Sequence, residues 1–141
     1  MEKAPSTYCG CLTYSVNALS RLMTKIADEE FSAVGLSSSH AFLIMSVNKK
    51  PGVNPKELAE ELQLTPSTVT RLIEKLEFKG FIERQQCGRC TEVFPTPAGM
   101  KLNNEVKAAW SRLAKRINDV LGKEDNAELT SAIGNAIQKL E

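Results

Sequence analysis

The sequence predicts a mostly α-helical chain with one small β-hairpin: a winged helix-turn-helix flanked by long N- and C-terminal dimerisation helices. Three observations carry this expectation. Asn54-Pro55 and Thr65-Pro66 open two short helices a few residues apart. Phe81–Gln85 and Thr91–Phe94 read as strands on either side of a Gly88-Arg89 turn. Apolar residues recur at helical spacing along both ends of the chain. The expected division is 1–34 for the N-terminal dimerisation helix, 35–96 for the winged helix-turn-helix DNA-binding domain and 97–141 for the C-terminal dimerisation helices.

The first helix is expected from about Cys11 to Phe31. Leu12, Val16, Leu19, Met23 and Ile26 recur at the spacing of an a/d seam. Gly35 breaks that pattern. Ser37 to Ser39 offers caps for a second helix whose run Ala41–Val47 is almost wholly apolar, so it belongs in the middle of its domain. Lys49-Lys50-Pro51-Gly52 then stops it. Asn54 is a strong cap for the next helix, Pro55 suits its first position, and Glu57 suits the positive end of its dipole. Leu58, Ala59 and Leu62 form its stripe, and it ends near Gln63.

Thr65-Pro66 repeats the start signal. Val69, Leu72, Ile73 and Leu76 face inward, and Gly80 ends the helix because Gly tolerates left-handed backbone. Two short helices with so brief a join must cross steeply. Gly-Arg suits a two-residue hairpin turn with Gly first. Thr96-Pro97 starts a helix of about 25 residues, roughly 37 Å long. Its seam is Leu102, Val106, Ala109, Leu113, Ile117 and Val120, with Trp110 and Leu121 beside it, and Gly122 ends it. A last helix from about Asp125 carries Leu129, Ile133, Ala136, Ile137 and Leu140. Such seams exceed what a small domain needs for its own core. They pack most simply against each other and against a second copy, which sets two reading helices over adjacent major grooves of a palindromic site.

The outward face of the helix after Thr65 carries Ser67, Thr68, Thr70, Arg71 and Lys75. Small hydroxyls and cations reach phosphates and base edges without steric penalty. For one isolated helix, an ordinary solvated face is the better explanation. The preceding helix and the following hairpin favour DNA. Arg89, at the hairpin tip, is placed to enter a minor groove, with a solvated loop arginine as the alternative. Asn54, Lys56 and Arg84 complete the expected DNA-facing set.

A chain of 141 residues with 42% hydrophobic content is one ordinary globular unit. Its net charge of +1 does not announce nucleic acid, so the DNA expectation rests on motif order. No apolar run reaches the roughly 18 residues of a transmembrane helix. Met1–Thr7 lacks the apolar stretch of a secretory signal. A cytoplasmic protein without membrane association is expected, its four cysteines reduced by default. One histidine and no Gly-rich phosphate loop leave no catalytic residues, no cofactor and no enzyme activity to assign.

Four segments, Asn54–Ala59, Thr65–Leu76, Lys79–Arg84 and Pro95–Gly99, resemble the MarR family of bacterial transcription regulators. The order of helices and wing extends the resemblance over nearly the whole chain. It implies a homodimer that binds a palindromic operator in double-stranded DNA, usually as a repressor, and is released by a small molecule, a metal or an oxidant. It also implies DNA reading by Ser67, Thr68, Thr70 and Arg71, with Arg89 as the wing arginine. The wing departs from the pattern. The family commonly has a longer wing with an Asp shortly before the Arg. Here the loop is short, lacks that Asp, and has Cys87 and Cys90 on either side of Gly88-Arg89.

Three readings of the cysteines stand. They are inert thiols, redox sensors or soft-metal ligands. In a four-residue turn the outer Cα atoms lie within about 7 Å, which overlaps the span of a disulfide, so Cys87 and Cys90 are able to staple the wing. Cys9 and Cys11 open the first helix, and some branches of the family have sensing thiols there. C-x-C and C-x-x-C are acceptable metal pairs, and His40 could complete a smaller site with Cys9 and Cys11. A small effector is expected where the first helix, the buried helix and the helix from Pro97 meet the winged domain, lined by Tyr14, Arg21, His40 and Met45. The competing functions are a winged-helix protein-interaction module and a metal-responsive regulator using the cysteines.

Overall fold

The computed structural model describes residues 6–141, so Met1 to Pro5, part of the stretch read as lacking a secretory signal, lie outside the described residues. Helix α1 runs Leu12–Phe31, followed by a 3-10 turn at Ser32–Val34 that the sequence did not announce. Then come α2 (Ser38–Lys49), α3 (Pro55–Leu62), α4 (Pro66–Phe78), β1 (Ile82–Cys87), β2 (Cys90–Pro95), α5 (Pro97–Leu121) and α6 (Lys123–Leu140). Six helices and one antiparallel hairpin form the winged helix-turn-helix the sequence predicts. Both strands extend further than expected and meet at Cys87 opposite Cys90, and α6 starts two residues before Asp125.

The caps of α3, α4 and α5 act as read. Asn54 Oδ1 accepts from Glu57 N at 2.8 Å, and Thr65 and Thr96 accept from Thr68 N and Gly99 N. The cap of α2 differs. Ser37 occupies the cap position, but its hydroxyl is turned to His40 Nδ1 at 2.6 Å. The free N–H of Ser38 donates instead to Asp28 Oδ1 at 2.7 Å, so α1 supplies the acceptor. A carboxylate at a helix N-terminus satisfies both an orphan donor and the dipole. The contact ties α1 to α2 across the turn at Gly35, whose φ is +73°.

One core joins all of this. Phe31, Leu43, Ile44, Leu58, Val69, Ile73, Leu76, Ile82, Val93 and Val106 are completely or almost completely buried. The predicted inward faces of α2, α3 and α4 all lie in it. So do Leu102, Val106, Ala109 and Leu113 from the first half of α5, so that helix is rooted in the winged helix before it projects away. Arg116 reaches Glu29 at 2.8 Å and Glu30 at 3.4 Å, and Arg112 reaches Glu30 at 3.7 Å, fastening the C-terminal end of α1 to α5. Beyond these pairs the seams open. Leu12 is 69% exposed, Val120 80% and Leu140 81%, and no residue of α6 is buried.

The wing is set by a tight junction. Thr96 N donates to Phe81 O at 3.1 Å, and Thr96 Oγ1 donates to Gly80 O at 2.6 Å. The same hydroxyl caps α5 by accepting from Gly99 N. Gly99 is buried directly against the Phe81 carbonyl, and a Cβ built there overlaps that oxygen. Gly99 is therefore a close-approach glycine. At the opposite edge, Gly52 N donates to Val93 O at 2.8 Å and Val93 N to Val53 O at 2.9 Å, pinning the hairpin to the strand-like segment before α3.

Gly99→Ala should destabilise the fold by about 3 kcal/mol, because backbone rather than a flexible side chain must yield. A denaturant midpoint within about 0.5 kcal/mol of wild type would show that the junction relaxes freely.

Candidate nucleic-acid interface

Helix α4 presents its surface as the apolar spacing demands. With Val69, Leu72, Ile73 and Leu76 inward, Ser67, Thr70, Arg71 and Lys75 are exposed and Thr68 is half-buried. Several hydroxyls already have partners. Thr65 Oγ1 lies 2.9 Å from Thr68 Oγ1 and 3.3 Å from Ser67 Oγ, and Thr70 Oγ1 donates to Pro66 O at 3.0 Å. These bonds consolidate the first turn of α4. Arg71 forms no ion pair among the described residues, so its guanidinium projects outward with all its donors available. Lys56, in the first turn of α3, is exposed as well.

Two of the expected DNA-facing residues have other work. Asn54 closes a reciprocal cap, accepting from Glu57 N and donating from Nδ2 to Glu57 Oε1 at 3.0 Å. Arg84 is held by Glu77 in a two-pronged pair, Nε to Oε2 at 3.2 Å and Nη2 to Oε1 at 2.9 Å. Its backbone N–H donates to the same carboxylate at 3.2 Å. The pair lowers the Glu77 pKa and raises that of Arg84, chiefly through the side-chain hydrogen bonds. The fork orients β1 against α4. Sequence reading missed Glu77, because the pair spans the turn at Gly80 and has no helical spacing. It also passed over Glu74 and Phe78, which share the outward face; Phe78 is 92% exposed. Their spacing from Arg71, three and seven residues along the helix, was the signal that could have found them.

The hairpin turn is the two-residue type. Gly88 has φ +64°, while Arg89 keeps a negative φ, which places Gly first as expected. Arg89 sits at the exposed tip, beyond the body of the wing. All four cysteines are exposed free thiols.

The expected effector residues lie on α1 and α2. Tyr14 sits at the start of α1, its ring 5.4 Å from that of Tyr8 and its hydroxyl accepting from Ser6 Oγ at 3.1 Å. Arg21 is exposed on α1. His40 faces Ser37 and the Lys75 and Lys79 flank of α4. Only Met45 lines the open cleft of about 500 Å³ between α2, the end of α3 and α5. Its neighbours there are Phe42, Lys49, Leu62, Asn103 and Trp110. The rings of Phe42 and Trp110 meet edge to face at 6.4 Å. Nor does a site of His40 with Cys9 and Cys11 form: among the described residues, no three His, Cys, Asp or Glu side chains gather in a metal-binding group. No described helix is long and apolar enough to cross a membrane.

A helix-turn-helix with its wing, carrying a free cation on α4 and another at the hairpin tip, defines the class. Residues 36–89 match the sequence profile of the MarR family. YybA, an HTH-type transcriptional regulator of Bacillus subtilis (strain 168), is 28% identical over 90 residues, covering 62% of this chain and 60% of YybA. YwoH of the same organism is 32% identical over 75 residues, covering 53% of this chain and 55% of YwoH. The chain thus spans little more than half the length of these relatives. Among solved structures, the transcriptional repressor CouR bound to a 23-mer DNA duplex has a TM-score of 0.85 at 18% identity. That match covers 97% of this chain and 99% of CouR. At that identity it shows the fold.

His40 makes stability depend on pH. Its pKa lies below 6.5, first because burial disfavours the imidazolium and then because Lys75 and Lys79 repel it. The folded state therefore favours the neutral ring. That contribution is complete above 6.5 and is lost as pH falls toward the folded pKa, where the unfolded chain already binds the proton. The melting temperature should drop below pH 6.5, and His40→Gln should flatten the drop. Parallel profiles in the two proteins would exclude this role.

Proposed function

We propose that the chain is a homodimeric, sequence-specific regulator that binds a palindromic operator in double-stranded DNA, acts there as a repressor in the cytoplasm, and is released by a small ligand or by thiol oxidation. The observation that carries the reading is the outward face of α4, where Ser67, Thr70 and Arg71 are exposed beside a wing tipped by Arg89. A helix of this polarity fits the major groove, and an Arg on a hairpin fits the adjacent minor groove. The match of residues 36–89 to the MarR family and the likeness to CouR, solved on DNA, support it. The family is one of regulators, not enzymes.

The division into a winged domain at 35–96 and flanking dimerisation segments at 1–34 and 97–141 belongs to the same proposal. Leu12, Val16, Leu129, Ile133 and Leu140 are too exposed to be core residues of one copy. A second copy buries them, and symmetry then matches the two α4 helices to the two half-sites. For the effector, the cleft beside Met45 combines aromatic walls with Lys49 and Lys107. CouR has also been solved with p-coumaroyl-CoA, which supports a small-molecule effector here. The exposed Phe78 favours one other reading, a winged helix whose outward face meets protein.

Selection of bound duplexes by the purified protein should return a two-fold symmetric site. Arg71→Ala should then weaken specific binding by about 1–3 kcal/mol, and Arg89→Ala should weaken it and lower the salt slope by roughly one. Unchanged operator affinity in both variants sinks the DNA reading, and failure to bind any duplex favours the protein-facing one. In sedimentation, the wild type should run at twice its 15.5 kDa. Ile133→Asp combined with Ile137→Asp should run as a folded monomer; a persistent dimer would place the interface elsewhere.

A further inference from the structure

The wing tip holds a feature that DNA reading does not require. Cys87 and Cys90 are direct cross-strand partners, the last pair of the hairpin, and they close the Gly88-Arg89 turn. Both are exposed thiols. A Cβ built at Gly88 meets nothing within 4 Å, so the turn is free of packing. The next pair inward, Gln86 and Thr91, is joined by a hydrogen bond from Thr91 Oγ1 to Gln86 Oε1 at 3.1 Å. The ladder is regular up to the cysteines and unsupported beyond them.

We propose that Cys87 and Cys90 form a reversible disulfide that switches DNA binding by re-aiming Arg89. The inference rests on the reading of Arg89 as a DNA contact. Partners on antiparallel strands stand about 4.5–5.5 Å apart at Cα, within the 4.4–6.8 Å a disulfide spans. The pair that closes a two-residue turn is of the wider, hydrogen-bonded kind. Its Cβ atoms therefore start further apart than the roughly 3.8 Å a relaxed disulfide prefers, and the bond forms by twisting the tip. Only Gly88 and Arg89 lie within the closed ring, so the twist passes directly to the arginine. A strained, exposed disulfide is also readily reduced, which suits a switch and not a permanent brace.

The chemistry closes with a hydroperoxide as oxidant. One thiol takes the distal peroxide oxygen to become a sulfenic acid and releases water or an alcohol. The second thiol then attacks that sulfur, forming the S–S bond and releasing water. Two electrons pass from the two sulfurs to the O–O bond. A bond between Cys9 and Cys11 would close only around Gly10, before α1, and leave the Gly88-Arg89 turn outside its ring.

Trypsin cleavage reads the bond directly. It cuts after Arg84, Arg89 and Lys101, so an oxidised wing links fragment 85–89 to fragment 90–101, whereas Cys9 and Cys11 stay together in fragment 4–21. Full-length protein treated with hydrogen peroxide should give the linked pair, and its operator affinity should fall roughly ten- to a hundredfold, as for loss of one specific arginine contact. Dithiothreitol should restore it. Cys87→Ser/Cys90→Ser should bind the operator like the reduced wild type and ignore peroxide, while Cys9→Ser/Cys11→Ser should keep the response. Absence of the linked fragments, or linked fragments with equal or tighter operator affinity, overturns the switch while leaving the DNA reading intact. Reduced protein that binds no duplex overturns both, with the fragments still reporting whether the disulfide forms.

Discussion

The contact on which the rest depends is the approach of the Phe81 carbonyl to Gly99. It brings the chain leaving α4 against the first turn of α5, with Thr96 bonded to both Gly80 and Gly99. One hydroxyl ends the exit from α4, caps α5 and closes the base of the hairpin. Without a side chain at Gly99 the two backbones meet, and this contact with the Thr96 hydrogen bonds holds the base of the wing between α4 and α5. A wing hung on an ordinary loop would leave Arg89 without a defined position relative to Arg71.

Around that junction, charged groups orient the helices while apolar packing supplies stability. The Glu77–Arg84 fork registers β1 on α4, and Asp28 holds the start of α2 from α1. Arg112 and Arg116 register α5 on Glu29 and Glu30. The ion pairs among these are exposed enough for solvent to screen them, so they contribute little to stability. Their directional bonds set angles that the smooth core of Leu43, Ile44, Leu76 and Val106 leaves open. Arg71 and Arg89 have no such carboxylate partner among the described residues, although the chain's net charge is only +1.

The same structure separates rigid from yielding parts. The first half of α5 is buried in the core, yet its second half and all of α6 leave their apolar seams in water. The wing is anchored at Val53, Val93 and Thr96 but unsupported at Gly88. Regulation acts most economically where little packing must be broken. In this fold those places are the wing tip, the open cleft beside Met45, and the seams.

Sequence alone determined the helices, the hairpin and the inward faces of α2, α3, α4 and the first half of α5. Cap, proline and periodicity are local signals, and the local physics behind them survived in α3, α4 and α5. The Gly88-Arg89 turn was equally legible, because a left-handed φ is demanded by the chain itself. The family resemblance was legible in the same short runs. What tertiary structure alone decided was which polar groups were free. Asn54 and Arg84 look like neighbours of Arg71 in sequence, but Glu57 and Glu77 engage them. Tyr14, Arg21, His40 and Met45 were expected around one cavity, and Met45 is the one of them that lines the cleft between α2, α3 and α5. Ser37 looked like the cap of α2, and Asp28 took that role from another helix. Hydrogen bonding between residues distant along the chain depends on angles of approach, and no periodicity encodes those.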